Sequence, residues 1–316
     1  MAAFASTPQP SPIPVRMANF RHDLDISVEQ LNAVLDLTKE VKQSRARFAS
    51  ALKGRYAALL FEKPSLRTRM TFELAMKQLG GDVVTQIGPI ADREPLKDVA
   101  RNLGRWTDVI VARTFAQQTV DELAHWSGLP VINALTDLYH PCQALADMVT
   151  LREKFGRLRG LKLAYVGDGN NVAHSLMLCA ARLGMNMSVA TPLGYSPKTS
   201  VIAEAIELSR ISGARIEVMT DPADAVENAH AVYTDVWTSM GQEAEADQRK
   251  KLFAPYQVNE LLLALARPDT LFMHCLPAKR GQEVTDEVIE SPQSVAFDQA
   301  ENRLHVQKAI LLTMLQ

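Results

Sequence analysis

The chain has 316 residues, 47% apolar, 22% charged and 6% aromatic, a globular composition that excludes disordered, collagen-like and coiled-coil classes. At roughly 150 residues per domain, about two domains are expected. Lys plus Arg at 34 against Asp plus Glu at 36 leave a net charge of -2, without the basic excess that holds nucleic-acid backbones, so nucleic acid is not an expected partner.

Three cysteines, Cys142, Cys179 and Cys275, include no CxxC pair. They make neither a disulfide framework nor structural zinc, and a reducing, cytoplasmic setting fits them best. Residues 1–16 carry four prolines and one charge without the apolar stretch of a secretory signal, and read as a disordered leader. No run of about 18 apolar residues occurs, so no membrane-spanning helix is expected.

From Ile26 the pattern is helical, with Ser27 as cap and Gln30 three residues on. Tyr56 to Phe61 is a short buried strand, and Pro64 and Ser65 open a helix that runs to Leu79 and the Gly80-Gly81 stop. The unit repeats. Strands at Val83 to Gln86, Val109 to Ala112 and Val131 to Asn133 alternate with helices at Leu96 to Leu103 and Val120 to Trp126, and a helix follows from about Pro141 to Phe155. The glycine-containing stretch GRLRG, 156–160, marks the junction.

Beyond it, strands at Leu161 to Val166, Met187 to Ala190, Arg215 to Met219, Ala231 to Thr234 and Leu271 to His274 alternate with helices at Val172 to Leu183, Val201 to Ser212 and Pro222 to Asn228. Such alternation predicts an α/β chain of two doubly wound parallel-sheet domains linked by interdomain helices. The boundaries expected are 1–16 for the leader, 17–150 for the first domain and 151–297 for the second. A terminal helix, 298–316, packs back on the first.

Five clusters carry chemistry. FEKPSLRTR, Phe61 to Arg69, sets Ser65, Arg67 and Thr68 in the first turn of a helix that follows a strand, where free N–H groups and the dipole favour an anion. An ordinary capped helix start explains the same spacing, but arginines there oppose the dipole unless an anion is bound. GxxxxGK[ST] is absent, which removes an ATPase reading. HPCQ, His140 to Gln143, follows a strand at the carboxyl end of its sheet and offers an imidazole and an amide to a carbonyl or a planar amide.

GDGNNVAHS, 167–175, mimics a dinucleotide loop, but Val172 stands where a small residue is needed and no acid ends the next strand, so NAD is disfavoured. DVWTSMG, Asp235 to Gly241, offers a carboxylate and a hydroxyl four residues later. HCLP, His274 to Pro277, sets a thiol beside a histidine at a strand end. Adjacent strand residues point to opposite faces, so His274 is not expected to activate Cys275. The seven histidines show no zinc-ligand spacing, and neither a metal nor a cofactor is expected.

Together these clusters, with Arg113 in VARTF and FDQAENR at 297–303, resemble the aspartate/ornithine carbamoyltransferase family in order and spacing from about Asn19 onward, and HPCQ and HCLP resemble its ornithine-type branch. SLRTR is similar to the family's Ser-Thr-Arg-Thr-Arg phosphate signature, with Leu66 replacing the first threonine and only its backbone N–H left to donate. The resemblance implies transfer of the carbamoyl group of carbamoyl phosphate to the δ-amine of L-ornithine, giving citrulline and phosphate.

It further implies that Ser65, Leu66, Arg67, Thr68 and Arg303 bind carbamoyl phosphate, that Arg113 and His140 surround the carbonyl oxygen, and that Gln143 and the Leu276 carbonyl orient the carbamoyl NH2. Cys275 and Asp235 assist the amine, while Asn171, Asp235, Ser239 and Met240 hold ornithine. A homotrimer, or a multiple of trimers, is implied, with Arg93 or Lys97 reaching a neighbouring site. Putrescine or an N-acylated ornithine as acceptor, and a non-catalytic homologue, remain as alternatives.

Overall fold

The computed structural model describes residues 15–238 and 243–316, so most of the leader lies outside the described residues. Helix α1, Val28–Gln43, starts in a full capping box between Ser27 and Gln30. The first domain then alternates β1 (Tyr56–Phe61), α2 (Leu66–Gln78), β2 (Asp82–Ile87), α3 (Leu96–Trp106), β3 (Val109–Arg113), α4 (Gln117–Ser127), β4 (Val131–Leu135) and α5 (Pro141–Phe155). The second runs β5 (Lys162–Val166), α6 (Asn171–Leu183), β6 (Asn186–Ala190), α7 (Thr199–Ser212), β7 (Ile216–Met219), α8 (Pro222–Val226) and β8 (Ala231–Thr234). After α9 (Ala246–Phe253) and α10 (Glu260–Leu263) come β9 (Leu271–His274), α11 (Asp286–Ile289) and the terminal α12 (Ala296–Leu315).

Each domain is a parallel sheet flanked by helices. The first sheet has the order β2-β1-β3-β4, the second β7-β6-β5-β8-β9. The period of two is explicit in β1, where Ala57, Leu59 and Phe61 face the main core while Ala58 and Leu60 face a smaller one under α3 and α4. Strand β2 differs from the buried strands: at the sheet edge, Val84 and Ile87 are exposed.

In each order the chain reverses direction across the sheet once, between β1 and β3 and between β5 and β8. At such a switch point the connections leave on opposite sides and open a crevice at the carboxyl ends of the strands. Phe61 pairs with Arg113 at the first, and Tyr165 with Tyr233 beside the second.

Two helices tie the domains together. Residues 141–151 of α5 are buried throughout, as is most of α12, the pattern of helices covered on all sides. Helix α12 packs on α1, α2, α5 and β9, and starts at Ala296, two residues before the expected position. At the N-terminus, Asp23 in a 3-10 turn accepts from Ser175 Oγ of α6 at 2.6 Å. Among the described residues, no helix is long and apolar enough to cross a membrane.

Candidate active site

At the first switch point, β1 ends and Ser65 takes an extended conformation (φ -159°), so its Oγ accepts from the Thr68 N–H at 3.3 Å and starts α2. Arg67 is half-buried and Leu66 exposed. Thr68 is buried, and its Oγ1 accepts from the Arg303 guanidinium of α12 at 2.7 Å. Arg113 ends β3. Burial, with the nearby Arg303 and Arg67, brings its pKa down to about 10. Burial also lowers the pKa of Arg303.

His140 caps α5, donating its backbone N–H to Ser175 Oγ at 3.0 Å. Its imidazole is held well below the usual range by burial, then by Arg303 and Arg113, and is therefore neutral at pH 7. Buried and without a hydrogen-bond partner among the described residues are Arg113 Nε, His140 Nδ1, Gln143 Oε1 and Arg303 Nε. Most buried polar atoms are paired, so this collection fits a site built for a polar, anionic ligand.

The second switch point supplies Asp235, which follows β8. Its Oδ1 accepts from Cys275 Sγ at 3.0 Å and from the Val236 N–H at 2.8 Å, and its Oδ2 from Asn170 Nδ2 at 2.8 Å. Asn170 is held because its own Oδ1 caps α6 at the Val172 and Ala173 N–H groups. Gly169 belongs to this loop: a Cβ there would lie 2.2 Å from Pro197 N, so the glycine serves close packing of the loop and needs no pyrophosphate to explain it. Asn171 donates to the Thr136 carbonyl at 2.5 Å. Ser239 and Met240 lie outside the described residues.

The HCLP segment brings the halves together. Asp235, His274 and Cys275 present ligand atoms within 4.8 Å of one another, although His274 and Cys275 are neighbours in sequence. The chain leaves the extended conformation there, with Leu276 at φ +57°, a left-handed conformation that costs a leucine about 1–2 kcal/mol. His274 holds it: Nδ1 accepts from the Leu276 N–H at 2.9 Å, and Nε2 donates to Glu283 at 3.2 Å. Both ring nitrogens are thus engaged, and His274 does not serve Cys275. The carboxylate of Asp235 does touch the thiol, a neighbour that the sequence pattern did not reveal. Burial and then Asp235 raise the Cys275 pKa well above the usual value, so it is a thiol and not a thiolate.

The structure thus gathers Ser65, Arg67, Thr68, Arg113, His140, Gln143 and Arg303 at the first switch point, and Asp235, Cys275 and Asn170 at the second. Arg93 and Lys97 sit apart on an exposed loop and helix start. Sequence reasoning missed Asn170, although its place before α6 is that of an N-cap.

A cluster of arginines with unpartnered polar atoms at one sheet switch point and a buried carboxylate at the other define an α/β protein with a polar site on each sheet. Comparison with known proteins narrows this. Residues 19–153 match the family model "Aspartate/ornithine carbamoyltransferase, carbamoyl-P binding domain", and residues 159–314 the corresponding "Asp/Orn binding domain". An ornithine carbamoyltransferase of Gloeobacter violaceus is 51% identical over 306 residues, 94% of this chain and 96% of that one. One from Pyrococcus furiosus described as anabolic is 50% identical over 292 residues, 91% and 93% of the two chains.

The solved structure of ornithine carbamoyltransferase from Pyrococcus furiosus superimposes with a TM-score of 0.92 at 47% identity, covering 95% of this chain and 97% of that one. The chain belongs to the aspartate/ornithine carbamoyltransferase family.

Proposed function

We propose that the enzyme transfers the carbamoyl group of carbamoyl phosphate to the δ-amine of L-ornithine, giving L-citrulline and phosphate, in arginine biosynthesis. The observation that carries this reading is the pair of side-chain clusters at the switch points, one with Arg67, Arg113 and Arg303 close enough to lower the Arg113 pKa, the other around buried Asp235. The domain of residues 17–150, with 298–316 packed against it, takes carbamoyl phosphate, and 151–297 takes ornithine.

Ser65, the Leu66 N–H, Arg67, Thr68 and Arg303 hold the phosphate with charge-assisted bonds. Arg113, neutral His140 and Thr68 face the carbonyl oxygen as it gains charge in the tetrahedral transition state. Gln143 and the Leu276 carbonyl orient the carbamoyl NH2. Asp235 and Ser239 bind the α-ammonium of ornithine, and Asn171 and the Met240 N–H its carboxylate.

The δ-amine, an alkylammonium like that of lysine, whose pKa is about 10.4, attacks after losing a proton. Its lone pair forms the C–N bond, the C–O bond to phosphate breaks, and the leaving phosphate takes the electron pair and can accept one of the two protons left on that nitrogen, the other staying in citrulline. Cys275 and Asp235 assist that deprotonation, and holding both substrates in place supplies the entropic part of the acceleration.

The site works in a cytoplasmic homotrimer or a multiple of trimers, with Arg93 or Lys97 completing a neighbour's site. Exposed Leu66, Met70 and Leu74 along α2, beside Val84 and Ile87 on β2, form the kind of apolar ridge that a neighbouring copy would cover. Citrulline formation from carbamoyl phosphate and L-ornithine tests the reading, with putrescine and N-acetylornithine as rival acceptors. Turnover with L-ornithine far above the other two is expected, and preference for either rival refutes the substrate assignment.

A further inference from the structure

Three of the motifs are joined by two buried side chains, Asp147 and Gln299, to which the mechanism gives no part. Asp147 lies one turn beyond Gln143 on α5 and is completely buried. Its Oδ1 accepts from Gln143 Nε2 and from Gln299 Nε2, each at 2.8 Å. Gln299, on α12, is also fully buried, and its Oε1 accepts from the His274 backbone N–H at 2.9 Å.

The direction of this chain of hydrogen bonds is forced from one end. A backbone N–H only donates, so Gln299 turns its oxygen to His274 and its NH2 to Asp147. Burial raises the Asp147 pKa to about 7 against the hydrogen bonds from Gln299 and Gln143; in its ionised form Oδ1 only accepts, and Gln143 gives it its NH2 as well. The two ends of an amide are nearly alike in shape, so partners alone decide which way it points. Gln143 is left with Oε1, buried and unpartnered among the described residues, as the atom it can offer to a ligand.

We infer that Asp147 is a positioning residue that fixes Gln143 with its carbonyl oxygen toward the reacting centre, and thereby makes the enzyme select a carbamoyl donor over an acyl donor of the same shape. The inference rests on the reading of Gln143 as the residue that meets the carbamoyl NH2. An oxygen there accepts from that NH2. It gains nothing from the methyl group of acetyl phosphate, which otherwise matches carbamoyl phosphate in shape and in its phosphate. A Gln143 amide free to turn would present NH2 to NH2 part of the time and lose the distinction.

The test compares carbamoyl phosphate, acetyl phosphate and inorganic phosphate, each titrated calorimetrically into the wild-type enzyme, Asp147→Ser and Asp147→Asn. A serine side chain is too short to hold Gln143, and its hydroxyl can bond back to the Gln143 backbone carbonyl, the i-4 partner within a helix. An asparagine keeps an acceptor oxygen in the place of Oδ1. We expect Asp147→Ser to bind carbamoyl phosphate about tenfold more weakly, the worth of one net hydrogen bond, with acetyl phosphate and inorganic phosphate unchanged. Asp147→Asn should restore the preference.

A merely structural role would instead weaken all three ligands together, and that outcome, or an undiminished preference in Asp147→Ser, overturns the inference. Asp147→Leu, which fills the same volume without an acceptor, takes the place of the serine variant if that does not fold. A wild-type enzyme that forms citrulline yet binds the two acyl phosphates equally refutes the role of Gln143, and this inference with it. One that forms no citrulline refutes the functional reading itself.

Discussion

Exchanging Asp235 for asparagine conserves volume and removes one charge, and the surroundings of that carboxylate set the size of the effect. It is 7% exposed. A carboxylate offers about four acceptor positions, and three are taken, by Cys275 Sγ, the Val236 N–H and Asn170 Nδ2. One remains for an ammonium. In Asp235→Asn one oxygen becomes an NH2 that meets either the thiol and backbone donors or the Asn170 amide, which cannot readily turn because its oxygen caps α6.

The ammonium therefore loses both its counter-charge and its acceptor. Breaking a buried pair of this kind costs about 2–5 kcal/mol, or roughly thirtyfold or more in affinity. The assay is ornithine saturation at fixed carbamoyl phosphate, with carbamoyl phosphate titrated calorimetrically into the free enzyme. We expect the ornithine KM to rise by that factor while carbamoyl phosphate binds nearly as before. Unchanged ornithine saturation would remove Asp235 from the clamp, and the assigned acceptor with it.

Cys275→Ser should slow transfer yet leave it measurable, because the raised thiol pKa argues against a nucleophile. Mass spectrometry of enzyme mixed with carbamoyl phosphate alone should show no carbamoyl adduct, and an adduct at Cys275 would contradict this. Chelation should leave turnover intact even though Asp235, His274 and Cys275 converge, since both His274 nitrogens are occupied within the protein; activity that is lost to a chelator and returns with zinc would refute it. Asp23 gives a pH-dependent test of stability. Burial lifts its pKa from 3.8 to about 6 against the hydrogen bonds from Ser175 and Cys179, so the fold favours the protonated form. That contribution is full below pH 3.8 and is lost as pH rises through about 6, about 3 kcal/mol in all. The Tm of Asp23→Asn relative to wild type should therefore climb between about pH 4 and pH 7, and a flat difference across that range would count against the reasoning.

The strands were legible because nearly all are short apolar runs between turn residues, and α2 because Pro64 and Ser65 announce it. Helices α9, α10 and α11 were not: at four to eight residues they are too short for a 3.6-residue repeat to stand out. The edge position of β2 was equally hidden, since strand order is a long-range property that a local pattern does not carry. In the site, residues within motifs were found, but their partners were not. Gln143 and Asp147 share a helix face at a spacing of four, a readable signal, yet Gln299 meets Asp147 across 152 positions. Asp235 likewise meets Cys275 across 40 positions, beyond the reach of any local pattern.

Because one cluster sits where β1 and β3 part and the other where β5 and β8 part, in the proposed function donor and acceptor are recognised by loops on separate sheets. Substitutions after β5 or β8 can reshape the pocket for a different amine while the phosphate-gripping turn before α2 stays untouched. The shared helices α5 and α12 do not have that independence, since each packs against elements of both domains.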